Sequence, residues 1–123
     1  MVTGIPRFLL RVEGVIVLLL SLHFYNELEG SWVWFAILFL SPDLSALGYL
    51  AGKNSGSMVY NIAHTYISPA ILAALAYTLN QPELYPFALI WTAHIGFDRL
   101  LGYGLKYPTD FKDTHLGSIG RGK

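Results

Sequence analysis

Four stretches of mostly apolar residues, parted by connections of a few polar ones, leave this chain little choice of fold. A helix needs about 20 residues to cross ~30 Å of hydrocarbon. The stretches 8–25, 32–51, 58–79 and 84–105 each come near that length. The connections 26–31, 52–57 and 80–83 are too short to let consecutive helices separate, so neighbours should run antiparallel. The expected fold is therefore all-α: a single domain, 1–123, forming a four-helix transmembrane bundle in up-down-up-down order with a polar tail, 106–123. Composition agrees, since 54% of the 123 residues are hydrophobic and 13% charged. So small a chain has too little interior to hide that much apolar surface from water.

Charge gives the expected direction. Arg7 and Arg11 precede or open the first stretch, Lys53 lies in the second connection, and Lys106, Lys112, Arg121 and Lys123 lie in the tail. The other connections carry Glu27, Glu29 and Glu83. Lys and Arg in short loops mark the cytoplasmic side, which puts both termini and residue 53 inside. Tyr25, Trp32, Trp34 and Tyr85 would form the outer aromatic rim. The expected location is a bacterial inner membrane, crossed several times, with the first stretch retained rather than cleaved: Arg11 and Glu13 interrupt it and no small-residue cleavage pattern follows. A net charge of zero gives no basic stripe for nucleic acid. The absence of cysteine excludes disulfides and thiolate metal sites.

Ionisable residues interrupt every stretch: Glu13, beside Arg11, in the first, Asp43 in the second, His64 in the third, and His94, Asp98 and Arg99 in the fourth. A charge at bilayer depth costs about 2.5–3.5 kcal/mol even on lenient scales, so such groups face inward and pair. At about 1.5 Å per residue, they fall roughly 8–16 Å from the inner helix ends, in one layer. His94 and Asp98 are four residues apart and share a helix face. Asn61 and His64 share another, with Tyr60 a turn before His64. Pro42 and Pro69 remove backbone donors and should break their helices near the layer. The glycines at 96, 102 and 104 would allow a close helix approach, and a homodimer contact there is one expectation.

Each polar residue has an ordinary structural role available. Histidines can hydrogen-bond across helices, Arg11 and Arg99 can snorkel to headgroups, and His115, Asp113 and His23 can be solvated or interfacial. Together, two histidines and three carboxylates at one depth form the donor set for zinc, iron or manganese. His64, His94, Asp98 and Asp43 are the expected metal ligands and Glu13 the general base, all five forming the candidate catalytic set. Arg99 and Lys106 are candidates for clamping an anionic headgroup, with Tyr60, Asn61 and Tyr103 as further substrate contacts. The corresponding function is metal-assisted hydrolysis, or a related reaction, of a lipid or amphiphile. The alternative is a non-enzymatic carrier of a proton, haem, quinone or small solute.

The strings LLRVEG, SPDLSALGYLAG, YNIAHTYISP and HIGFDRLLGYGLKYPTDFKDTHLG, together spanning about residues 9–117, resemble the bacterial domain-of-unknown-function family 4260. The resemblance implies a small multi-span membrane protein and no particular activity. It sets Glu13, Asp43, Asn61, His64, His94, Asp98, Arg99, Tyr103, Lys106, Tyr107 and His115 within the family's strings. The order Pro42-Asp43 then His64-Thr65 is also similar to the SOS-regulated inner-membrane metal-dependent hydrolases, although Ser45 and Ala63 stand where those enzymes carry other residues.

Overall fold

A computed structural model describes residues 3–106 and 113–118. All four apolar stretches are helical. Helix α1 spans Gly4–Glu27 and α2 spans Trp32–Leu38, continued by a 3-10 helix over Ser41–Ala51. Helices α3, Lys53–His64, and α4, Ile67–Thr78, follow. A 3-10 turn, Pro82–Leu84, leads into α5, Tyr85–Leu101. Two-residue strands β1, Asp113–Thr114, and β2, Gly117–Ser118, pair antiparallel in the tail.

Local chemistry sets most of the boundaries. Helices α1, α4 and α5 end in the same way, with a left-handed residue (Glu29, Asn80 and Gly102) just past the helix. In each, two amides recover two free carbonyls, as when Tyr103 N–H reaches Asp98 O and Gly102 N–H reaches Arg99 O. This stop ends α5 at Leu101 rather than at 105, so Tyr103–Lys106 turns across the end of the molecule instead of extending the helix. The connection expected at 52–57 is also shorter, because α3 already begins at Lys53.

Pro42 has no N–H for a helical bond to Leu38, and beyond it the chain winds as a 3-10 helix. Eleven residues is long for that geometry. Side chains three apart eclipse, and Leu44, Leu47 and Leu50 form one outward ridge, 68%, 64% and 89% exposed. The other side packs on α3, where Tyr49 lies over Gly56 and Gly48 meets Val59. These contacts pair rising with falling residue numbers, so the two elements are antiparallel. The third stretch is broken at Thr65 and Tyr66, where α3 and α4 meet at a 49° bend. Pro69 deprives Thr65 O of its helical donor there.

Helix α1 packs antiparallel against α5 at a crossing of two glycines. An added Cβ at Gly14 would lie 2.8 Å from Gly96 O, and one at Gly96 would lie 2.8 Å from Gly14 O. Gly96 thus makes its close approach within the chain. The interior is unusually polar: His64, His94, Asp98, Arg99 and Lys106 are buried, while many of the large apolar side chains face outward. By length and composition one helical stretch, Trp32–Ala51, suffices to cross a membrane, and the bent pair α3–α4 makes a second if counted as one span.

Candidate metal centre

The break between α3 and α4 creates the chemistry around His64. A helix end leaves its last carbonyls without amide partners, and here side chains take them. The Ser68 hydroxyl donates to Ile62 O. The Trp91 indole donates to Ala63 O at 2.6 Å, and Arg99 Nη2 donates to His64 O at 2.8 Å. His64 Nδ1 lies 2.8 Å from Tyr60 O. A carbonyl only accepts, so Nδ1 carries the proton, and in the neutral ring Nε2 presents a lone pair. Tyr60 stacks on that ring at 3.7 Å and 6°. The imidazole is therefore fixed in position and in tautomer.

Opposite it, α5 presents His94 and Asp98 on one face, one turn apart. Asp43, from the start of the 3-10 helix, completes the group. His64 Nε2 and His94 Nε2 are 3.3 Å apart. Asp43 Oδ1 is 3.0 Å from the first and 3.1 Å from the second, and Asp98 Oδ2 is 3.6 Å and 3.2 Å from them. One ligand atom from each of the four lies within 4.8 Å of every other, an arrangement that could hold a metal ion. Bonds of about 2.0–2.1 Å to a tetrahedral ion put its ligand atoms about 3.3–3.4 Å apart. Most separations here fall close to that edge length. Both histidines are 1% exposed, whereas the Asp43 side chain is 49% exposed. Phe39 stands edge-on to His94 and touches Phe97. His94 Nδ1 is buried with no hydrogen-bond partner among the described residues.

The remaining candidates from the sequence are placed differently. Glu13 is exposed on α1 and is not one of the four converging ligands. Arg99 is buried, bonded to His64 O and, at 3.2 Å, to Tyr103 O, with its guanidinium 5.8 Å from the Tyr66 ring centre. Asn61 clasps the backbone of Lys106, giving Nδ2 to its carbonyl at 2.9 Å and accepting its N–H at 2.6 Å. Tyr103 is partly exposed. Lys106 is buried with its ammonium 4.7 Å from the Tyr60 ring centre, and burial pulls its pKa down to about 8. His115 is not solvated as expected: its Nδ1 accepts Leu105 N–H at 2.8 Å, and burial, then the nearby Arg99, lowers its pKa. His23 pairs loosely with Glu27 at the surface. Tyr107, Pro108 and Lys112, like Arg121 and Lys123, lie outside the described residues.

Sequence reasoning missed the supports, Trp91 and Ser68. Trp91 precedes His94 by three residues and so shares its face, which was the available signal. Ser68 gave none, since its role depends on where the bend falls.

Comparison with known proteins adds one match. The family described as "Domain of unknown function (DUF4260)" matches residues 7–119. No curated protein and no solved structure matches the chain.

Proposed function

Because the chain belongs to the DUF4260 family, whose description names no activity, we propose a function from the geometry alone: a membrane-embedded, divalent-metal-dependent hydrolase acting on an ester or phosphoester of a lipid or amphiphile. The observation that carries it is the meeting of two imidazole nitrogens and two carboxylate oxygens from three elements at 3.0–3.6 Å. Unmetallated, this would hold two carboxylates beside a fixed imidazole lone pair, an arrangement that calls for a cation. Imidazole and carboxylate together suit zinc, iron or manganese, and near-tetrahedral spacing favours zinc. The imidazole tips meet too closely to admit the plane of a haem between them.

His64, His94 and Asp98 hold the ion. A metal-bound water at such a site ionises near neutral pH. A catalytic site keeps an open coordination position, so His64, His94 and Asp98 would hold the ion and the half-exposed Asp43 would stand beside the reacting water as the acid–base group. Its carboxylate would take the proton of the attacking water and pass it to the leaving alcohol as the ester bond breaks. Asp43 thus takes the general-base part, for which the exposed Glu13 is not placed. The outward ridge of Leu44, Leu47 and Leu50 that begins beside Asp43 suits an apolar substrate arriving from within the bilayer. Four membrane crossings with both termini cytoplasmic fit the loop charges, the polar interior and the apolar exterior.

A second reading, a binder or carrier that holds an ion without turnover, is favoured by the completeness of the four-ligand set. Two measurements separate the readings. Elemental analysis of the purified protein should find about one equivalent of zinc, iron or manganese, lost in His64→Ala and His94→Ala. A panel of phospholipids and acyl esters should then give product with the metal-loaded protein and none with Asp43→Asn. Metal without turnover on any lipid supports the carrier, and a metal-free protein sinks both.

A further inference from the structure

Where α1 leaves the α5 end, a cavity of about 500 Å³ is lined by Arg7, Phe8, Arg11, Val12, Val15 and Leu100. Arg7 and Arg11 are four residues apart on one helical face, and each spends one nitrogen on a carbonyl. Arg7 Nε donates to Leu116 O, and Arg11 Nε donates to Leu100 O at 2.9 Å. These bonds aim the guanidiniums and, among the described residues, leave their terminal nitrogens available. Neither has a carboxylate within 4.0 Å among the described residues. Beneath the two cations the wall is apolar, supplied by Phe8, Val12, Val15 and Leu100.

We propose that this cavity binds one anionic phospholipid, its phosphate between Arg7 and Arg11 and the start of an acyl chain along Val12, Val15 and Leu100. Paired guanidiniums suit a phosphate because their fork-shaped donors bind two oxygens at once. The cationic rim lies at the end of α1 where the loop charges put the cytoplasmic leaflet, and basic pockets at that level suit acidic headgroups. The site is separate from the metal centre. Gly14 and Gly96 face each other across the α1–α5 seam, while His94 and Asp98 face α3 and the 3-10 helix. It also takes over the headgroup role for which Arg99 and Lys106 are too buried.

Thermal unfolding of the full-length protein in a neutral detergent tests the proposal, with phosphatidylglycerol, phosphatidylcholine or soluble glycerol phosphate added. Phosphatidylglycerol should raise the midpoint in a saturable way, and phosphatidylcholine should not. Arg11→Gln should weaken the apparent affinity about tenfold or more, the loss expected for a charge-assisted hydrogen bond. Should that variant fold poorly, Val15→Phe fills the cavity while leaving both arginines, and it should lose the phosphatidylglycerol shift. His64→Ala should keep that shift, separating this site from the metal centre. An equal effect of phosphatidylcholine, or an undiminished shift in Val15→Phe, overturns the proposal. Glycerol phosphate alone reproducing the shift overturns the lipid and assigns the cavity to a soluble phosphate ester.

Discussion

Arg99 and Lys106 show what buried cations do in this molecule. Arg99 closes the open end of α3 through His64 O, so it acts on His64 through the backbone. Arg99→Met keeps much of the volume but leaves that carbonyl without its donor. Stability should fall by about 1–3 kcal/mol and metal affinity by about 10–100-fold, as measured by thermal unfolding and by competition with a chelator. Lys106 gives a pH signature. Its pKa is about 8 in the folded protein against 10.5 for the free side chain. Between those values the unfolded chain holds a proton that the folded one lacks, so stability rises with pH across that window. Below about pH 8 both states are protonated and the cost of burying the charge is constant. Unfolding midpoints measured from pH 7.5 to 10 should climb, and Lys106→Met should flatten the climb. The grouping of Asp43, His64, His94 and Asp98 was legible because an ionisable side chain stands out in a run of Leu and Ile, although Glu13 carries the same signal and stays outside the group. The roles of Arg99, Asn61 and His115 were not, since each depends on which carbonyl or amide a distant break leaves free.

Elements differ in how plainly the residues announce them. Pro69 signalled the bend that parts α3 from α4, and helix α1 could be read from the length of its mostly apolar run. The 3-10 winding of Ser41–Ala51 could not, because α and 3-10 helices draw on the same residues and differ only in a small rotation per residue. That rotation decides where Asp43 points. Pro42→Ala returns an N–H to the segment and removes the obstacle to α-helical winding, turning Asp43 away from the histidines. Metal affinity should drop at least about tenfold with no ligand replaced, while helical content by circular dichroism should be maintained or rise. Unchanged affinity would mean that α3 packing, through Val59 and Gly56, sets the winding instead. The stop of α5 at Leu101 is hidden in the sequence, since the left-handed Gly102 reads there as one more small residue in an apolar stretch.

Among the described residues of the whole molecule, polarity is partly inverted. His64, His94, Asp98, Arg99 and Lys106 are buried while Leu50, Ile5, Val33 and their neighbours face outward. The chain contains no cysteine, so single introduced thiols report topology without background. In spheroplasts, a membrane-impermeant maleimide should label Glu29→Cys and Glu83→Cys but leave Lys53→Cys unmodified until the membrane is opened. The reverse pattern would invert the orientation, and equal labelling of all three would end the four-crossing reading.

The Gly14–Gly96 crossing also has a consequence for the order of assembly. On the ribosome, α1 emerges first, and the helix it packs against emerges last. Until then the leading helix must wait without its principal neighbour. His94 and Asp98 arrive on that same late helix, so half of the four-residue cluster and the closing of the α1–α5 seam come in a single event. A nascent chain halted before residue 94 would therefore carry only Asp43 and His64, and quality-control proteases should recognise it by its unsealed first helix.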